Sequence, residues 1–124
     1  MIIRRDAQQT ECESIEGGVL RGFIQGWAFE YSGNVVSIVT LLHCPQLKGV
    51  LLNHKMLSHS IGVVAVYREC CALVTHIEDT FDEDIYALCE GDKDYKFLHK
   101  GLGFKHVASI EDNKVMKLWK HSAQ

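Results

Sequence analysis

The stretch IYALCEGDKDYKFLHKGLGF, Ile85 to Phe104, decides how the rest of the chain is read. Its opening, IYALC, is an unbroken apolar run of the kind expected for a strand covered on both faces. The period then changes. Asp92 or Asp94 can cap a helix whose dipole it complements, and Tyr95, Leu98 and Leu102 follow at helical steps. Gly103 supplies the stop, because a glycine in the left-handed conformation ends the helix and lets Phe104 turn back toward the core. The stretch predicts a central strand, a short helix and an abrupt reversal into another strand.

Downstream, KHVASI and VMKLWKH alternate apolar with polar residues around EDNK, which predicts a terminal hairpin. Upstream, DTFDED is an acidic turn. Before it, Val63, Val66, Tyr67, Cys70, Leu73, Val74 and Ile77 recur at three- and four-residue steps, while Arg68, Glu69, Thr75, His76 and Glu78 lie off that stripe. This is the pattern of an amphipathic helix. Its β-branched opening, SIGVVAV, suits a strand equally well and leaves the helix start open, at Ser60 or beyond. Further back, GFIQGWAFEY and VVSIVTLLH flank the turn SGN and read as an antiparallel hairpin from Phe23 to His43. After Pro45, KGVLLNHKML has the length of a third strand, so an antiparallel meander is expected. MIIRRD reads as a short first strand, and AQQTECESIE as a polar segment, helical or not, that ends at Gly17-Gly18.

Composition narrows the function classes. At 124 residues and 14.0 kDa the chain can bury one core and is too short for two ordinary domains, so one domain over residues 1–124 is expected. A hydrophobic fraction of 47% with 23% charged residues, and no uncharged apolar stretch near membrane-spanning length, predicts no bilayer crossing. MIIRRDAQQTECESIE carries a basic pair with no apolar core or cleavage site behind it, so no secretory signal is read there and a cytoplasmic location is expected. Cys12, Cys44, Cys70, Cys71 and Cys89 are odd in number and lack CxxC spacing, which argues for reduced thiols over a disulfide framework or a thiolate zinc site. The seven histidines form no HxxxH or HExxH pair, and no metal is expected. A net charge of -3 argues against a nucleic-acid partner, with a local patch in KDYKFLHKGLGFKH left open.

The order strand, helix, continuous strand, short helix ending in LGF, then hairpin resembles the C-terminal half of the GNAT acetyltransferase fold. That family's tail signature is a helix ending in an aromatic-Tyr-x-x-x-Gly-Phe type of sequence, and FLHKGLGF looks like it, over about Ile85 to Trp119. The resemblance implies an α/β (α+β) domain with a mixed, mostly antiparallel sheet flanked by helices. It also implies acetyl-coenzyme A as cofactor, lying in a splayed gap between the fourth and fifth strands, and direct transfer of the acyl group to an amine acceptor. Backbone near Leu52 and Asn53 would then hold the pantetheine, and the segment SHSIG, with Ser58, His59, Ser60 and Gly62, would meet the pyrophosphate at a helix N-terminus.

Two departures from the family pattern stand out. The usual Gln/Arg-x-x-Gly-x-Gly/Ala loop has only QLKGVL, Gln46 to Leu51, to offer, with Leu where a small residue belongs. Taking NHKML as the end of the fourth strand instead leaves no glycine-rich loop at all. In the tail motif, His99 stands where the family has a Tyr that protonates the departing thiolate, and Asp92 stands where an Asn often touches the cofactor. An imidazolium can protonate a thiolate, whereas the charge of Asp92 would not help to bind a polyanion. A more distant likeness, to the GNAT-like internal virion proteins of short-tailed bacteriophages, implies the rival: a non-catalytic component that binds a phage or host protein, because fold need not report activity.

Glu30 and His54 lie on strands where the family often places a base for the attacking amine, and both can equally be surface residues of half-exposed strands. Cys70 belongs to the apolar stripe, so Cys70-Cys71 reads as packing rather than as a nucleophile. Trp27 and Trp119 sit on different hairpins as core or interface anchors, and the hairpin carrying Trp119 offers an edge through which a homodimer could pair.

Overall fold

Seven strands make one sheet in the order β1-β2-β3-β4-β5-β7-β6. In chain order the elements are β1 (Ile3–Ala7), α1 (Gln9–Glu16), β2 (Phe23–Tyr31), β3 (Asn34–Cys44), β4 (Gly49–Met56), α2 (Val63–Thr80), β5 (Ile85–Glu90), β6 (Lys105–Glu111) and β7 (Val115–His121). The computed structural model describes residues 1–58, 63–90, 104–111 and 115–121, and within these it leaves the side chains at 63, 64, 67, 88–90, 106–111 and 115–121 undescribed. The helix expected after Asp92, with its Gly103 stop, falls outside that set. The mixed, mostly antiparallel α/β architecture expected from the sequence is the one observed.

Local chemistry accounts for the connections. Ser32 and Gly33 close the β2–β3 hairpin with φ of 51° and 82°, the left-handed two-residue turn that matches strand twist. α1 stops at Gly17, whose φ is 73° and whose N–H donates to the Glu13 carbonyl at 2.9 Å. A single 3-10 turn, Pro45–Leu47, joins β3 to β4. β4 and β5 are parallel, and parallel neighbours need a crossover, which α2 provides; every other pair of neighbours is antiparallel. Among the described residues α2 runs from Val63, within the β-branched opening SIGVVAV.

The two faces of the sheet are packed unequally. Against α2 lie Phe29, Val39, Leu41, Val50, Leu52, Ile85, Ala87 and Phe104, covered by Val66, Cys70, Leu73, Val74 and Ile77, the predicted stripe. Burying each such aliphatic side chain contributes about 1.5–3 kcal/mol. On the other face α1 covers a smaller cluster of Ala7, Cys12, Ala28 and Ile38. There Cys12 packs onto Gly26, where a β-carbon would sit 2.6 Å from its sulfur. Charges supplement this thin layer: the Arg5 guanidinium reaches both oxygens of Glu11, at 2.6 and 3.1 Å, and also Glu30. Hydrogen bonding from Arg5 holds the Glu11 carboxyl below the ordinary range.

The terminal hairpin is inserted with β7 between β5 and β6, so Trp119 lies on an inner strand and the edge of the sheet is β6. The edge that the terminal hairpin offers is therefore β6 and not the strand that carries Trp119. Gly49, considered as part of a phosphate loop, opens β4 instead, and a β-carbon there would stand 2.5 Å from the Asp84 carbonyl oxygen. Close approach of two backbones accounts for that glycine.

Candidate functional site: the parting of β4 and β5

The parallel ladder runs through Val50↔Ile85, Leu51↔Tyr86, Leu52↔Ala87 and Asn53↔Leu88, and stops there. Among the described residues, β4 continues to Met56 paired only with β3, while Cys89 and Glu90 continue β5 paired only with β7. Two neighbouring parallel strands thus part midway, opening a gap inside the sheet rather than at its edge. The neighbours on either side hold each diverging strand in place.

Hydrogen-bond direction decides which atoms face this gap. The Val50 N–H donates to the Asp84 carbonyl at 2.9 Å, so the even-numbered residues of β4 direct their backbone groups toward β5. The odd-numbered ones face β3, as the 2.9 Å bond from the Leu57 N–H to the Val36 carbonyl confirms. Leu52 is therefore spent within the ladder and Asn53 faces the other way. Leu52 and Asn53, expected from the sequence to hold a ligand through their backbone, are the last residues of the ladder, and the Met56 N–H lies past it on the gap side.

Side chains along β4 divide between the two faces. Leu52 belongs to the α2-side core and Met56 packs against it, which puts His54, between them, on that face. Its Nε2 lies 2.5 Å from the Ser37 hydroxyl. Asn53 and Lys55 face α1. The Asn53 amide donates to both Glu16 oxygens at 2.8 and 3.0 Å, and Lys55 donates to the Ile15 carbonyl at 2.8 Å. The C-terminal turn of α1 is thereby pinned to the lip of the gap. Burial pushes the Glu16 carboxyl above its ordinary value, against the pull of Lys55 and Asn53.

Ser37 reaches this position through a β-bulge. The β2–β3 register slips between Phe29 and Glu30, leaving Val36 as an extra residue, so Val36 and Ser37 both turn to the α2 side. Nothing in VVSIVTLLH announced the bulge. The only sequence signal was a lone hydroxyl within a β-branched run, and Ser37 is fully buried.

The structure does not bring the other candidates to the same place. Glu30 lies at the far end of β2, held by Arg5 beside Glu11 on the α1 side, across the sheet from His54. Ser58 follows β4, its N–H donating to the Val36 carbonyl at 3.3 Å. His59, Ser60, Gly62, Asp92 and His99 lie outside the described residues. Cys70 is buried in the core and Cys71 half-buried, its thiol pushed up by burial, the opposite of what an attacking thiolate needs. A cavity of about 300 Å³ lined by Asp6, Ile24, Trp27, His76, Ile77 and Phe81 sits over β1 and β2, under the last turns of α2 and away from the gap.

No family model matches the chain, and no curated protein matches it. Solved structures do. An acyl-CoA N-acyltransferase from Pseudomonas aeruginosa superposes with a TM-score of 0.70 at 11% identity, covering 98% of this chain and 100% of that one. A GNAT family acetyltransferase from Elizabethkingia anophelis, solved with acetyl-CoA bound, gives 0.65 at 9% identity, covering 98% and 97%. A structure assigned to the GnaT acetyltransferase family from Bordetella pertussis gives 0.61 at 13% identity, covering 79% of this chain, which spans 65% of that one. Identities this low establish the fold, which is that of the GNAT acetyltransferases. All three are described as acyl- or acetyltransferases, and the likeness to phage virion proteins draws no support from them.

Proposed function

We propose that the chain transfers an acyl group from acetyl-coenzyme A to an amine. The amine attacks the thioester carbonyl directly: a C–N bond forms, the C–S bond breaks, the amine gives up a proton and the departing thiolate takes one. The observation that carries this reading is the parting of β4 and β5 beyond Asn53 and Leu88 in the middle of the sheet. An extended amide-bearing chain such as pantetheine can continue the ladder on backbone groups that a neighbouring strand would otherwise use. The Met56 N–H is the β4 group set to receive it.

Two further features of the chain support this reading. Among the described residues α2 runs from Val63, and a helix N-terminus following SHSIG in the chain would suit a pyrophosphate even without a glycine-rich loop. Ser58, His59, Ser60 and Gly62 are the residues to contact it. His99, by its place in the tail motif, is the donor to the thiolate. The neighbour solved with acetyl-CoA bound shares the fold and supports the choice of cofactor.

Isothermal titration with acetyl-coenzyme A and with coenzyme A tests the reading, followed by thiol release in the presence of simple alkylamines and peptide amines. Saturable heat with acetyl-coenzyme A and amine-dependent thiol release are expected. Absence of heat at millimolar ligand overturns the proposal and leaves a non-catalytic binding protein on the same scaffold. If turnover appears, a His99→Ala variant with unchanged affinity and unchanged rate removes His99 from the mechanism.

A further inference from the structure

β1 closes one side of the sheet, and among the described residues nothing pairs with its outer edge. Such an edge carries a row of backbone N–H and C=O groups open to another strand, and charged side chains usually guard it. The charges on β1 are of both signs. Arg4 and Asp6 lie opposite Phe29 and Trp27 in the ladder with β2, and both of those pack into the core under α2, so Arg4 and Asp6 share that face. Both are exposed, and neither side chain has a hydrogen bond or ion pair among the described residues. Ile3, Arg5 and Ala7 take the α1 face. There Ala7 belongs to the small cluster, Arg5 is bound to Glu11 and Glu30, and Ile3 is left 56% exposed.

A second copy of the chain can pair with this edge antiparallel about a two-fold axis, so that residue i meets residue j and j meets i. The possible registers differ in what lies on the axis. An axis between two residues would set α1-face side chains opposite α2-face ones, which the two-residue period of a strand forbids. Axes at Ile3 or Ala7 overlap the two strands by a single residue of β1. With the axis at Arg4 two arginines face each other, and with the axis at Asp6 two aspartates do, and like charges directly opposite repel. The axis at Arg5 sets Arg4 opposite Asp6 twice on one face and Ile3 opposite Ala7 twice on the other. The two Arg5 residues also meet there, but Glu30 and Glu11 already draw each guanidinium back over its own β2 and α1.

We propose that the chain forms a two-fold dimer by antiparallel pairing of β1 with β1 of a second copy, centred on Arg5, with Arg4 of each copy opposite Asp6 of the other. The charges of β1 reject the neighbouring registers and admit this one. The pairing continues the sheet across the axis and covers Ile3. A strand of five residues offers a small contact, so the association is concentration-dependent. The gap between β4 and β5 lies beyond β2 and β3 and plays no part in it.

Sedimentation equilibrium of the full chain from about 1 μM to about 1 mM covers the affinities of so small a contact. The mass should rise with concentration toward twice the 14.0 kDa of one chain. Asp6→Arg and Arg4→Asp each turn two opposite-charge pairs into two like-charge pairs, and each should weaken association about ten- to a hundredfold. Both positions are exposed, so each variant should keep the circular dichroism spectrum and unfolding midpoint of the parent. The double variant, Arg4→Asp with Asp6→Arg, restores the pairs and should recover the parent's affinity. An equimolar mixture of the two single variants should associate as well, because each supplies the charges the other lacks. A parent that stays monomeric throughout overturns the proposal. So does a dimer that keeps its affinity in both single variants, which would place the contact elsewhere, at β6 for instance. A double variant as weak as the single ones would refute the register. Each of these outcomes stands whether or not the chain binds acetyl-coenzyme A.

Discussion

On the face under α2 the sheet buries Phe29, Val39, Leu41, Val50, Leu52 and Ile85 against Val66, Cys70, Leu73, Val74 and Ile77 of an eighteen-residue helix. On the face under α1 it buries Ala28 and Ile38 with Ala7 and Cys12, against a helix of eight residues. The first face is held by volume. The second is held by close approach at Gly26, by the Arg5 bridge between Glu11 and Glu30, and by the bonds from Asn53 and Lys55 to the end of α1. The difference suggests a division of labour: α2 supplies most of the hydrophobic stabilisation, while α1 fixes the lip of the gap without shielding much of the sheet.

Substitutions on each face can break that contrast. The largest effect belongs to the α2 face: Leu73→Ala empties a fully buried site and should cost about 2–5 kcal/mol in denaturant-induced unfolding. A loss under 1 kcal/mol, by the same scale, would mean that α2 is not the main source of stability. On the α1 face Gly26→Ala should cost about 1–3 kcal/mol by overpacking, because its new methyl group lands on the Cys12 sulfur. The same substitution in a Cys12→Ala background should cost measurably less, and equal costs in both backgrounds would show that the two residues do not meet.

The smallest effect sharpens the comparison through pH. Burial raises the Glu16 carboxyl above its ordinary value of 4.5, so over a window above that value the folded chain keeps a proton the unfolded chain has released. The contribution of Glu16 to stability therefore falls as pH rises through the window. Glu16→Gln does not titrate and can still accept from Asn53. Its stability relative to the parent should climb with pH from 4.5 upward and level off once the folded carboxyl has ionised. A difference independent of pH between 4 and 7 would place Glu16 in solvent rather than against β4.

Much of the fold was legible in the chain because its signals are local or periodic. The stripe from Val66 to Ile77, the Ser32-Gly33 turn and the stop at Gly17 each follow from residues close together in sequence, and each appears where it was read. The site was less legible because its geometry comes from relations between distant segments. Gly49 resembles a loop glycine until Asp84 is seen against it, and Gly26 carries no signal until Cys12 is placed on it. The bulge that turns Ser37 toward His54 depends on the register between β2 and β3, which no single strand encodes. Leu52 and Asn53 lie on β4, but which residue of that strand faces β5 is set by the ladder and not by the strand's own sequence.

Amide hydrogen exchange followed residue by residue, with and without acetyl-coenzyme A, tests the central claim most directly. The gap predicts that the ligand slows exchange at Met56 and Glu90, past the ladder on either side, and leaves Leu52, already bonded to β5, unchanged. Slowing confined to the cavity around Asp6, Trp27 and His76, with Met56 and Glu90 unaffected, would contradict it.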